Sequence, residues 1–157
     1  MTRYVLVFVF LMTGLMSKGQ FQVKSVQENV VEYEKNKPVK KDREEKFYDA
    51  SGNLVKQVFY DKNLKPNKVI EYQYKDGLLI KEIVKKGDNL KINEVVTYKY
   101  NDKGQKIEIL KEDSQGKLLK RIVYAYDEKG LKKSKMVYNG KGELIEKTEY
   151  TYQYFKN

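Results

Sequence analysis

A tyrosine pair followed by a polar turn recurs along this chain at a nearly constant interval. EYQYKDG (71–77), TYKYNDKG (97–104), VYAYDEKG (123–130) and TYQYFKN (151–157) align so that Tyr74, Tyr100, Tyr126 and Tyr154 fall 26, 26 and 28 residues apart. An eroded copy, KFYDASGN (46–53), places Tyr48 26 residues before Tyr74, with Lys46 where the other copies have their first tyrosine. Midway between these lies a second series of turns, YDKNLK (60–65), KGDNLK (86–91), EDSQGKL (112–118) and YNGKGEL (138–144). Such a period marks one supersecondary unit stacked on the next. With two turns in each unit of about 26 residues, the unit is a two-stranded hairpin.

Between turns the side chains alternate with period two. Ile122, Tyr124 and Tyr126 share one face and Val123 and Ala125 the other; further on, Thr148, Tyr150, Tyr152 and Tyr154 fall on one side. The strands are rich in Val, Ile, Thr and Tyr, which suit a pleated, half-buried surface. Asp-x-x-Gly turns suit a type I turn followed by a left-handed glycine, and consecutive strands joined so tightly must pair antiparallel. The expectation is an all-β fold: an antiparallel meander of about nine strands, forming an open curved sheet or a half-barrel.

The first residues are of another kind. MTRYVLVFVFLMTGLMSKGQ has a basic Arg3, an apolar run from Tyr4 to Met16, and small residues at Ser17 and Gly19. That is the layout of a secretory signal peptide, and an apolar run this short falls below the roughly 20 residues a membrane anchor needs. Residues 1–19 are therefore expected to be cleaved off, leaving a mature protein from Gln20 with no membrane span, periplasmic or extracellular. Residues 20–45 form a leading segment in which Val23, Val26, Val30, Val31 and Tyr33 mark an opening strand or hairpin arm. Lys37-Pro38 breaks it, and KNKPVKKDREE reads as an exposed connection. Residues 46–157 make up the repeat domain.

Charge narrows the partners. The chain carries 32 Lys+Arg against 22 Asp+Glu, a net charge of +10, which falls to +8 once Arg3 and Lys18 leave with the signal peptide. A basic surface favours anionic polymers or headgroups, although stretches such as KKDREEK and KGELIEK mix both signs as a solvated strand surface does. Export argues against nucleic acid.

Absent residue types exclude whole chemistries. The chain has no Cys, His or Trp. Without His the commonest general base and zinc ligand are missing; without Cys there are no disulfides, thiolate metal sites or lipid-modified cysteine. A catalytic pair would have to come from carboxylates such as Glu108 and Glu112, and nothing in the sequence sets them against each other. Asp49, Asp76, Asp102, Asp113 and Asp127 stand in turns where an Asp or Asn side chain caps its own backbone. One or two acids per turn do not assemble the six to eight oxygens of a calcium site. No enzyme activity, metal or cofactor is expected.

The tyrosines are the candidate binding residues. Equivalent strands of successive units are separated by one strand, so Tyr72 and Tyr74, Tyr98 and Tyr100, Tyr124 and Tyr126, and Tyr152 and Tyr154 form a row with steps of about 9.5 Å. Such a row either covers a thin sheet structurally or stacks against a long ligand, with Lys99 and Lys120 as charge partners.

The motif Y-x-Y-D-x-x-G in VYAYDEKG, with YDASGNL (48–54) and YKYNDKG (98–104), resembles the YD-repeat (RHS-repeat) proteins over residues 46–154. Asn101 and Lys75 depart from the family's aspartate, and the unit here is longer than the family's. The resemblance implies a secreted or surface-associated β-sheet with adhesive or carbohydrate-binding capacity; four units are too few to close the shell that long members form. The chain is also similar to short Lys/Asn-rich exported repeat proteins of Bacteroidetes-type bacteria. The expectation is a non-enzymatic exported protein offering an extended binding or adhesive surface to envelope polysaccharide or another anionic polymer. The alternative is an immunity- or antitoxin-like protein, similar to MORN-like repeat proteins, that binds one protein partner.

Overall fold

A computed structural model of the chain describes residues 23–34 and 37–155. The expected signal peptide and its cleavage point lie outside the described residues. Ten antiparallel strands follow one another in a single sheet, in sequence order: β1 (Ser25–Glu34), β2 (Lys37–Tyr48), β3 (Leu54–Tyr60), β4 (Pro66–Lys75), β5 (Leu78–Lys86), β6 (Lys91–Tyr100), β7 (Lys106–Asp113), β8 (Leu118–Tyr126), β9 (Lys132–Asn139) and β10 (Leu144–Glu149). The sheet is an open meander with β1 and β10 as its terminal strands, and no helix occurs among the described residues.

The count exceeds the expected nine because the stretch read as an exposed connection is a strand. β2 begins at Lys37 and pairs on one side with β1 (Asn29↔Arg43, Val26↔Lys46) and on the other with β3 (Glu45↔Val58). Pro38 is tolerated at the second position of the strand, opposite a register shift at Glu32/Tyr33, where the ladder is already interrupted. The rest of β2 has little apolar character, and its charges find partners on the sheet. Lys46 Nζ lies 3.0 Å from both Glu28 and Glu44, and Arg43 pairs with Glu45.

The described residues divide into two compact units, one of residues up to Tyr72 with Val84–Lys91, the other of Gln73–Ile83 with Ile92 onward. In the first, Val58 and Val69 face each other across β3 and β4 and are buried, as is Val84. In the second, one line of directly opposed residues crosses four strands: Tyr98 on β6, Ile109 on β7, Ile122 on β8 and Val137 on β9. Val137 is 1% exposed, the most deeply buried side chain. Only five apolar side chains are fully buried among the described residues, since a single sheet leaves both faces partly wet. Cross-strand pairs and the ladder therefore carry much of the stability that a packed core would supply in a two-layer protein.

Six turns share one hydrogen-bonding scheme. At Asp49, Asp61, Asn101, Asp113, Asp127 and Asn139 the backbone N–H donates to the carbonyl four residues on, while the carbonyl accepts from the N–H three residues on. The side chain completes the turn: Asp113 Oδ1, for example, accepts the N–H groups of Gln115 and Lys117. The residue three positions after the Asp or Asn is left-handed, as at Gly130 with φ 81°, which is why glycine recurs there. Leu64, φ 60°, takes that place after Asp61. Where Lys75 stands in place of Asp or Asn, no side-chain acceptor is present. The turn between β4 and β5 is instead a two-residue one, Asp76-Gly77, with φ 51° and 75°, the Asp-Gly preference of type I′ hairpins.

Candidate functional site

The tyrosine strands place their rings by one rule. Tyr100 Oη donates to the Leu79 carbonyl at 2.7 Å, Tyr126 Oη to the Lys106 carbonyl at 2.7 Å, and Tyr152 Oη to the Lys132 carbonyl at 2.8 Å. These three tyrosines are 26 residues apart in succession. The last pair of the series is therefore Tyr150 and Tyr152, not Tyr152 and Tyr154 as the sequence alignment has it. EYTYQY has tyrosine at three alternate positions, so either frame puts a pair on the same face; only the long-range hydrogen bond separates them.

Most of the inner rings are engaged within the sheet. Lys106 Nζ lies 4.3 Å from the centroid of the Tyr98 ring and Lys132 Nζ 5.1 Å from that of Tyr124. Tyr98 Oη donates to Glu82 at 2.7 Å, and Tyr72 Oη to Gln57 at 2.6 Å. Tyr74 is half-buried on β4. Burial pushes the Tyr100 and Tyr126 phenols above the ordinary tyrosine pKa, with nearby Glu82 adding to the effect at Tyr100. These side chains cover and tie the sheet, which is the work expected of large amphipathic β-formers.

Near the C-terminal end of the second unit the pattern changes. Tyr150, Tyr152 and Tyr154 are 37%, 40% and 61% exposed. With Tyr126, Lys129 and Lys133 they line an open cleft of about 550 Å³, whose wall also includes Asp127 and Glu128. Lys129 Nζ lies 4.5 Å from the centroid of the Tyr154 ring. Three of the eight candidate tyrosines, Tyr126, Tyr152 and Tyr154, thus come together. The sequence reading did not single out Tyr150, Lys129 and Lys133, although a strict step of 26 from Tyr124 reaches Tyr150. The cleft offers ring surface for stacking beside two cationic side chains.

The lysines expected to serve the row go elsewhere. Lys99 alternates to the face opposite Tyr98 and Tyr100, where its Nζ binds Glu108 Oε2 at 2.6 Å. Lys120 stands opposite Lys111 on one side and Asn139 on the other. Glu108 is a largely buried carboxylate, 9% exposed, whose other oxygen accepts from Arg121 Nε at 2.5 Å. Lys99 first, then Arg121, hold its carboxyl below the usual carboxylate range against the opposing effect of burial. With both oxygens taken by cations, Glu108 is placed as a structural clamp across β6, β7 and β8. The turn acids are likewise committed to their own backbones, and among the described residues no group of three or more acids is arranged to hold a metal.

No protein-family model matches the chain, and no curated protein matches it. Among solved structures it is similar to a protein of unknown function from Bacteroides fragilis, at 15% identity and a TM-score of 0.43, over 80% of this chain and 93% of that one.

Proposed function

We propose that this chain is an exported, non-enzymatic β-repeat protein of the YD-repeat type, and that its contact surface is the tyrosine–lysine cleft of Tyr126, Tyr150, Tyr152 and Tyr154. Its ligand is an acidic polysaccharide or another anionic polymer of the cell envelope. The supporting observation is the contrast between the rings. The inner ones lie under lysines and donate to neighbouring strands, whereas Tyr152 and Tyr154 stand open beside Lys129 and Lys133. Sugar rings stack on exposed aromatic faces and carboxylates or phosphates are neutralised by ammonium groups, so this combination suits a charged glycan better than a neutral one. The signal-peptide layout of residues 1–19 puts the protein where such polymers are found.

The test is retention of the mature protein on peptidoglycan and on envelope polysaccharide at two salt concentrations. Retention at low salt that falls as salt rises, and falls further in Tyr154→Ala and Lys129→Ala, is the expected result. No retention at low salt sinks the proposal. Capture of one stoichiometric protein that survives high salt transfers the reading to an immunity-like partner protein.

A further inference from the structure

The free edge of β10 is written to pair with itself. Tyr150 donates its backbone N–H to the Lys133 carbonyl at 3.1 Å, and Thr148 and Glu146 stand opposite Lys135 and Val137 of β9. In an antiparallel ladder alternate residues turn their backbone groups to alternate sides. Residues 146, 148 and 150 therefore face β9, and Lys147, Glu149 and Thr151 turn their N–H and C=O groups outward, where no strand follows among the described residues. Leu144 and Ile145, 51% and 59% exposed, sit on the same strand, so its side chains are as uncovered as its backbone.

We infer that two copies of this chain associate through β10, antiparallel about a two-fold axis at Thr148. Charge selects this register. With Thr148 opposite Thr148 of the second copy, Lys147 of each chain meets Glu149 of the other, and both contacts fall at outward-facing, hydrogen-bonding positions. A shift by one residue in either direction brings Lys147 against Lys147 or Glu149 against Glu149, and like charges directly opposite disfavour a pair. In the selected register Leu144 comes opposite Tyr152, and Ile145 opposite Thr151, so exposed apolar side chains gain neighbours. The other free edge does not compete well: β1 carries Glu28, Glu32 and Glu34 and no basic residue. Self-pairing there, or pairing with Glu146 and Glu149 of β10, sets acid against acid. The interface is isologous and closes after two copies. It places the tyrosine clefts of the two copies on either side of one seam, and it does not depend on what those clefts bind.

The experiment is sedimentation of the mature protein over a range of concentrations, with charge inversions. A concentration-dependent dimer is expected. Lys147→Glu and Glu149→Lys should each weaken it by roughly tenfold, and the double inversion should restore it, since each dimer contains the pair twice. Both side chains are more than half exposed, so folding survives the changes, as unchanged circular dichroism and unfolding midpoints would verify. The chain has no cysteine. Thr148→Cys should therefore oxidise cleanly to a covalent dimer, because a non-hydrogen-bonded pair brings its Cα atoms to about 4.5 Å, within disulfide reach. Lys147→Cys, facing Glu149, should not. A monomer at every concentration, a dimer indifferent to both inversions, or open-ended polymers that lengthen with concentration would overturn the inference, the last pointing to β10 on β1 of the next copy.

Discussion

The ammonium group of Lys106 lies 4.3 Å from the centroid of the Tyr98 ring, while the carbonyl of the same lysine accepts the hydroxyl of Tyr126. Lys132 repeats both contacts with Tyr124 and Tyr152. One residue at the start of β7 or β9 thus covers a ring on the preceding tyrosine strand and anchors a hydroxyl from the next. A thin sheet gains from this arrangement because lysine stems and tyrosine rings bury apolar area while their polar ends stay satisfied.

Lys106→Met keeps most of the stem and removes the charge. It should lower stability by about 0.5–1 kcal/mol, the range of a part-exposed cation–π contact. Tyr126→Phe, which leaves the ring and deletes the hydroxyl bond to the Lys106 carbonyl, should cost about 1 kcal/mol. Urea unfolding reads both. The Lys106→Met effect should vanish in a Tyr98→Leu background, whereas the Tyr126→Phe effect should persist there.

Glu108 sets an acid limit on the sheet. Its folded pKa lies below its unfolded value because Lys99 and Arg121 favour the charged form. The stabilisation is then fully present above the unfolded carboxylate range, near pH 4.5, and is lost as pH falls through the lower folded value. Unfolding midpoints should drop on acidification below that range, and Glu108→Gln should be less stable at neutral pH and show a flatter acid limb. A wild-type acid limb that Glu108→Gln leaves unchanged would assign it to other carboxylates.

Leu64 holds a left-handed φ of 60° at the turn position where the corresponding turns at Asp49, Asn101, Asp113, Asp127 and Asn139 use glycine. It is 59% exposed, so little packing is lost on replacement. Leu64→Gly should raise stability by up to about 1 kcal/mol, the left-handed strain relieved outweighing the entropy added to the unfolded chain. The reverse holds at Gly130, where an added Cβ would lie 3.0 Å from Gln105 Nε2. Gly130→Ala should destabilise by about 1 kcal/mol or more, measured by the shift in thermal midpoint.

In the cleft, stability and binding should separate by residue. Tyr152→Phe removes the bond to the Lys132 carbonyl and should lower stability with modest change in polymer retention. Tyr154→Ala, at a ring 61% exposed, should leave the unfolding midpoint nearly unchanged and reduce retention several-fold. Equal loss of retention in the two variants would point to a fold effect instead of a contact.

Much of this architecture is legible in the residues because it rests on local rules. Strand and turn are encoded by period-two alternation and by Asp or Asn followed three residues later by a left-handed glycine, and the structure places strands where these rules put them from β3 onward. β2 escaped notice because Lys40–Lys46 has no apolar alternation; its pairing relies on ion pairs to Glu28 and across its own face, which a pattern of hydrophobicity does not register. Asp76-Gly77 shows the same limit in a turn, where loss of one side-chain acceptor at Lys75 changes the turn type without changing the strands it joins.

By itself, then, the chain's sequence determined an antiparallel meander, the faces of its strands and the chemistry of its turns, all of which follow from contacts between residues close in sequence. Tertiary structure decided which tyrosines are spent on the sheet and which stand open. Tyr98 and Tyr124 lie under lysines of the following strand, while Tyr154 remains exposed near the end of the described chain. It also decided that Tyr150 and Tyr152 form the last pair, through a hydrogen bond to Lys132 that spans 20 residues. Identical side chains on one face differ only in what the neighbouring strand supplies, and that is set by register across the sheet and not by position along the chain.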